Sequence, residues 1–162
     1  VFSVDSTTSV YEGSYSLKAT GTDGIIVSTS GLNTYPADGD TIRFRAYSPS
    51  STTPAVQFIF RAVDTSNFYM VSYNANKSKT WKCSGGTYTG LTEDTSNSMI
   101  TDEWIYGEIS LSSGNSFSWT MYDNAGNTLF TMSETDDAVT GGQGIGFRES
   151  GNTPAYDLIE LL

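Results

Sequence analysis

Thr41-Ile42-Arg43-Phe44-Arg45-Ala46-Tyr47-Ser48 alternates apolar and polar residues without interruption. Successive side chains of a strand point to opposite faces, so Ile42, Phe44 and Ala46 take one side and Arg43, Arg45 and Tyr47 the other. Ala55 to Val63 repeats the pattern, setting Val56, Phe58, Phe60 and Ala62 inward against Gln57, Ile59, Arg61 and Val63. Outward from this pair the same period of two returns in Ser14–Thr20, Phe68–Tyr73, Thr80–Cys83 and Glu103–Leu111. It continues through Ser116–Tyr122, Thr128–Met132, Gly144–Arg148 and Tyr156–Leu161. No window carries the 3.6-residue apolar stripe of an amphipathic helix.

The breaks carry turn chemistry. Asp64-Thr65-Ser66-Asn67, Asn74-Ala75-Asn76, Ser112-Ser113-Gly114-Asn115 and Asp123-Asn124-Ala125-Gly126-Asn127 are Asx- and Gly-rich hairpin connections. Hairpins join neighbours, so the sheets read as antiparallel. Gly90–Asp102 and Ser133–Gly142 read as longer loops. Short strands at this spacing, with no helix, predict an all-β, two-sheet antiparallel β-sandwich. About ten to twelve strands favour a jelly roll over the seven-stranded immunoglobulin arrangement. The Cys…Trp…Cys pattern of the latter is also missing. Residues 1–162 read as one domain, without a repeat or linker.

Composition narrows the chemistry. The chain has no histidine and one cysteine. That excludes Ser-His-Asp and Cys-His catalysis, any His-based zinc site, and an intrachain disulfide. A net charge of −10 argues against nucleic acid and anionic membranes as partners. The one basic cluster, Lys77, Lys79 and Lys82, reads as an edge-protecting hairpin. No apolar run is long enough to span a bilayer. Serine and threonine together outnumber all charged residues, a bias common in secreted and cell-surface β domains. The start at Val1 and the end on Asp157-Leu158-Ile159-Glu160-Leu161-Leu162 read as a processed product or a piece of a longer polypeptide.

Three stretches carry a family resemblance. Val10-Tyr11-Glu12-Gly13-Ser14-Tyr15-Ser16-Leu17-Lys18 resembles an early strand of jelly-roll carbohydrate-binding modules, where Gly-x-x-Ser-Leu-Lys recurs. Phe60–Asp64 through Phe68–Tyr73, followed by Lys79-Thr80-Trp81-Lys82, is similar to the central hairpins of laminin-G-like and concanavalin A-like domains. Glu103-Trp104-Ile105-Tyr106, Gly144-Ile145-Gly146-Phe147-Arg148 and Asp157-Leu158-Ile159 resemble their closing strands. The resemblance implies a concanavalin A-like jelly roll, a scaffold that hosts sugar-binding, adhesive, structural and some hydrolytic domains. It also implies a concave cleft on one sheet. Related modules hold a structural calcium between the first strands and an Asp of the last, which carries over to Asp5, Glu12 and Asp157.

Sugar recognition needs flat aromatic faces and planar polar groups. Parity puts every arginine, Arg43, Arg45, Arg61 and Arg148, on the polar side of its strand together with Tyr47 and Gln57. Converging on one sheet they would favour a sugar with a carboxylate or dense hydroxyls; separately, each can pair with a cross-strand acid. Trp81, Tyr88, Tyr69 and Tyr73 are candidates for a stacking platform, while Trp104 and Trp119 read as core. The paired-carboxylate pattern of glycosidases on this scaffold, Glu-x-Asp-x-Glu, does not occur, and no catalytic residue is assigned.

Together these features predict an extracellular or cell-surface, non-enzymatic domain, on a secreted protein or a virion, that binds glycan or mediates adhesion and holds calcium. The alternative is a structural subunit of a filament, tube or viral fibre, self-assembling through the apolar terminal strands Val1–Val4 and Leu158–Leu162.

Overall fold

The computed structural model describes residues 2–5, 16–20, 23–32, 34–50, 55–151 and 153–162, with backbone alone for residues 3–5. Among them the alternation produces thirteen strands and no helix. They are β1 (Phe2–Asp5), β2 (Ser16–Ala19), β3 (Gly24–Ser28), β4 (Thr41–Tyr47), β5 (Ala55–Asp64), β6 (Asn67–Asn74) and β7 (Lys77–Ser84). The rest are β8 (Thr87–Asp94), β9 (Trp104–Leu111), β10 (Ser116–Tyr122), β11 (Thr128–Thr135), β12 (Gly144–Glu149) and β13 (Ala155–Leu161). β8 runs through the first part of a stretch that reads as loop in the sequence.

All pairings are antiparallel. One sheet has seven strands in the order β1-β2-β13-β4-β9-β10-β11, the other six in the order β3-β12-β5-β6-β7-β8. The jelly-roll expectation holds. Both terminal strands take places in the domain's own seven-stranded sheet, β13 inside it and β1 at its edge.

The core between the sheets follows the parity of β4 and β5. Phe44 from one sheet stacks on Phe58 from the other, centroids 4.4 Å apart and planes 8° from parallel. Phe60 meets Phe117, and Tyr73 meets Phe130, edge to face. Trp119 is buried as expected and donates from Nε1 to Thr80 Oγ1 at 3.1 Å. Gly107 is demanded by this packing. A Cβ there would lie 2.5 Å from Phe44 Cζ and 2.8 Å from Met121 Sδ.

The six-stranded sheet is apolar on both faces. Ile59, Phe68 and Met70 are fully buried on its outer side, and Cys83 and Ala62 are at 1% exposure. Ile59 therefore departs from the polar-side assignment, and Ala62 from the inward one. Between Phe60 and Asp64 three residues of β5 face the single residue Phe68 of β6, a bulge that shifts the alternation. The hairpin turns form as their Asx chemistry dictates: Asp64 Oδ1 accepts from the Ser66 amide, and Asp123 Oδ1 from the Asn127 amide.

Candidate functional site

β4 presents Arg43, Arg45 and Tyr47 on the outer face of the seven-stranded sheet. Arg43 donates from Nε and Nη2 to Glu108 Oε1, at 3.0 and 2.6 Å, and lies 3.6 Å from Glu160. The Arg45 guanidinium sits 4.4 Å from the Tyr106 ring, whose centroid is 4.6 Å from that of Tyr122 in a near-parallel stack. Trp104 belongs to this face, tilted against Tyr47 at 5.8 Å, not to the core. Ile105 and Ile109 take the inward positions of β9 and turn Trp104 outward. The Tyr106 ring is thus covered by Tyr122 and by arginine.

Gln57, Trp81, Tyr88 and Arg148 come to the outer face of the other sheet. The register carries Gly146, Ile59, Met70, Trp81 and Gly90 across it in one row. Arg148 and Gln57 lie on one side of that row, Cys83 and Tyr88 on the other. Three strands separate β12 from β8, and the two residues lie on opposite sides of the row, which on a flat sheet would hold Arg148 and Tyr88 about 23 Å apart. The guanidinium carbon is 4.6 Å from the Tyr88 ring. The sheet must therefore curl, which makes this outer face concave along that diagonal, with Ile59, Phe68, Met70 and Cys83 buried beneath its side chains. Burial is the main cause that pushes the Tyr88 hydroxyl above its ordinary range.

Lys79 completes this face, its ammonium 4.2 Å from the Trp81 ring and 2.8 Å from Glu93. Sequence reasoning did not assign Lys79 or Glu93, although Lys79 shares the parity of Trp81. Asp23 lies 3.4 Å from Arg148. Gln57 is 8% exposed, and its Oε1 has no hydrogen-bond partner among the described residues. Tyr69 and Tyr73, candidates for the platform, are core residues, with hydroxyls donating to the carbonyls of Asp136 and Ser98.

Arg61 belongs to neither face. It sits in the β5 bulge at φ +47°, a left-handed conformation that costs roughly 1–3 kcal/mol for a residue with a side chain. Its side chain turns to the end of the sandwich, where Nη2 donates to Asp38 Oδ1 at 2.6 Å and to the carbonyls of Ser112 and Ser116 at 2.9 and 3.4 Å. Arg61 is 6% exposed, and Nη1 has no partner among the described residues. Gly142 makes the bulge possible, since a Cβ there would lie 2.3 Å from the Arg61 carbonyl oxygen. A cavity of about 420 Å³ opens here, with Arg61, Asp38, Asn115 and Gln143 as polar walls and Pro36, Leu111 and Val139 as apolar ones.

The four arginines are thus divided between two outer faces and one end of the sandwich. Arg43 meets Glu108, Arg61 meets Asp38, and Arg148 meets Asp23. Of the calcium candidates, Glu12 lies outside the described residues and Asp5 is described in backbone only. The register sets Asp5, Ser16 and Asp157 in one row, with Arg45 next to Asp157. Among the described residues no three acids, histidines or cysteines gather as a metal cluster.

No protein-family model matches this chain, and neither does any curated protein sequence. Solved structures do. The carbohydrate-binding module CBM66 from Bacillus subtilis superposes with a TM-score of 0.68 at 12% identity, covering 99% of this chain and 94% of its own. Galectin-Ib from Xenopus laevis gives 0.63 at 8% identity, over 86% of this chain and all of its own. The fold is a two-sheet jelly roll. Chicken galectin 2 gives 0.61 at 7% identity, over 80% of this chain and 95% of its own. At such identities the jelly roll is established as an architecture, and any function must be argued from this chain's own side chains.

Proposed function

We propose that this jelly roll is an extracellular, non-catalytic domain that binds glycan through the concave outer face of its six-stranded sheet, in the service of adhesion. The observation that carries the reading is the Arg148–Tyr88 contact. It places a guanidinium beside a phenol on the concave face, above a buried apolar layer, with Trp81 and Lys79 on the same face. Sugars present C–H faces to aromatic rings and hydroxyls to planar donors, and Trp81, Tyr88 and Arg148 offer both. The names of the similar structures, a carbohydrate-binding module and galectins, support the same reading.

The test is a glycan array on the purified domain, followed by calorimetry on any hit. Trp81→Ala and Arg148→Ala are each expected to weaken binding at least tenfold, about 1.4 kcal/mol. Silence across the array, or undiminished affinity in both variants, removes this face from consideration. Calcium enters as a stabilising ion held by Asp5, Glu12 and Asp157. The shared row of Asp5 and Asp157 supports it, and neighbouring Arg45 means that the other carboxylates must outweigh one guanidinium.

A further inference from the structure

We infer that the cavity at the end of the sandwich is a second binding site, built around the Arg61–Asp38 pair for the vicinal hydroxyls of one neutral sugar ring. It lies apart from the concave face, on the loop side of the β5 bulge, and stands whether or not that face binds glycan.

The argument starts from Arg61. A buried guanidinium normally satisfies its donors, because an unpaired one loses its hydration without replacement. Here Nη2 meets three acceptors while Nη1 meets none among the described residues. A cross-sheet brace accounts for Nη2 and leaves Nη1 unexplained; an oxygen from a ligand would complete it. Left-handed backbone at a residue with a side chain persists only where the surroundings enforce it. Arg61, at φ +47° inside a strand, is such a residue and lines this cavity, whereas Asn115 at φ +56° owes its backbone to its hairpin turn.

Charge selects the ligand class. Asp38 Oδ1 accepts from Arg61 at 2.6 Å, so the pair is neutral overall in a chain of net charge −10. A carboxylate or phosphate ligand would gain no net attraction there. Oδ2 of Asp38 has no partner among the described residues, and the Asp38 side chain is 53% exposed. The pair therefore offers a donor on Nη1 beside an acceptor on Oδ2. Two adjacent hydroxyls answer that arrangement: one accepts from the guanidinium, and its neighbour donates to the carboxylate. Asn115 and Gln143 add amides, and Pro36, Leu111 and Val139 form a wall for the C–H side of a ring. The volume, about 420 Å³, lies near the lower end of small-ligand cavities, roughly 300–1,000 Å³. That is room for a terminal ring, not for a buried chain.

The experiment is amide-resolved NMR on the full chain, titrated separately with the methyl glycosides of glucose, galactose, mannose and fructose, and with methyl glucuronide. Saturable shifts at Gly141, Gly142 and Gln143 with at least one neutral glycoside are the expected result. Asp38→Asn, at an exposed side chain, is expected to weaken that binding about tenfold, and Arg61→Lys by at least as much. Shifts confined to the Trp81 indole and Tyr88 would report the concave face alone and overturn the cavity site. Tighter binding of the glucuronide than of every neutral glycoside would overturn the ligand class. No saturable shift with any probe overturns the proposal outright.

Discussion

The Tyr156 hydroxyl, carried by the seven-stranded sheet, accepts from the backbone amide of Gln57 at 2.9 Å and lies 3.2 Å from its carbonyl oxygen, to which it donates. One phenol thus satisfies a buried donor and a buried acceptor of the opposite sheet. Complete burial pushes its ionisation far above the ordinary tyrosine value.

Tyr156→Phe keeps the shape and removes the bridge. Leaving the Gln57 amide and carbonyl unpaired should cost roughly 1–3 kcal/mol, read as a lower urea midpoint at unchanged slope. A loss below about 0.5 kcal/mol would mean that these groups find other partners in the variant.

A second prediction concerns pH. Burial alone would raise the Asp136 carboxyl, but Lys82 at 2.7 Å, the Ala138 amide and the Tyr69 hydroxyl together hold it below its ordinary range. A depressed carboxyl contributes stability that is complete above its unfolded value, about 3.9, and is lost as pH falls through the folded value. Asp136→Asn should therefore lower the urea midpoint at pH 7 and flatten its decline below about pH 4. At the other extreme Tyr69 is pushed up to about 12, chiefly by burial. Its contribution is complete below pH 10 and declines as pH rises toward 12. Acid limbs that run parallel in Asp136→Asn and the parent would refute the assignment.

Gly107→Ala tests the contact between Phe44 and the floor of β9. The added methyl would press on the Phe44 ring, which Phe58 already backs. Overpacking of this kind costs about 1–3 kcal/mol, measurable as a drop in thermal midpoint. An unchanged midpoint would show that Met121 and Phe44 move aside freely.

Chelation tests calcium. If the ion is held at an occupancy near 100 times its dissociation constant, its removal should lower the thermal midpoint by about 5–10 °C. Asp157→Ala should abolish that difference. A midpoint indifferent to chelator in the parent protein retires the ion.

Legibility in the sequence followed how local the cause was. β4 was readable because every residue alternates and nothing interrupts the pairing. Arg61 was not, because its bulge is accommodated by Gly142, some eighty residues away along the chain. Ile59 has the parity of a polar-face residue and is buried because Tyr88 and Trp81 pack over that face. Their approach depends on the curl of a whole sheet. Gly90–Asp94 read as loop because β8 is an edge strand, hydroxyl-rich and half exposed, with little apolar signal. At the candidate sites residue type was visible, and company was not. Tyr69 and Trp104 exchanged the roles that composition suggested, one sinking into the core and the other rising to a face.

The floor beneath Tyr88 has one further consequence. Cys83 lies there at 1% exposure, and burial pushes its thiol above the ordinary cysteine range. Alkylating reagents need the thiolate and a path to it, and a folded molecule at neutral pH supplies neither. The rate at which this sulfur is modified therefore clocks the opening of the cupped sheet, and a guest resting in the cup should slow the clock.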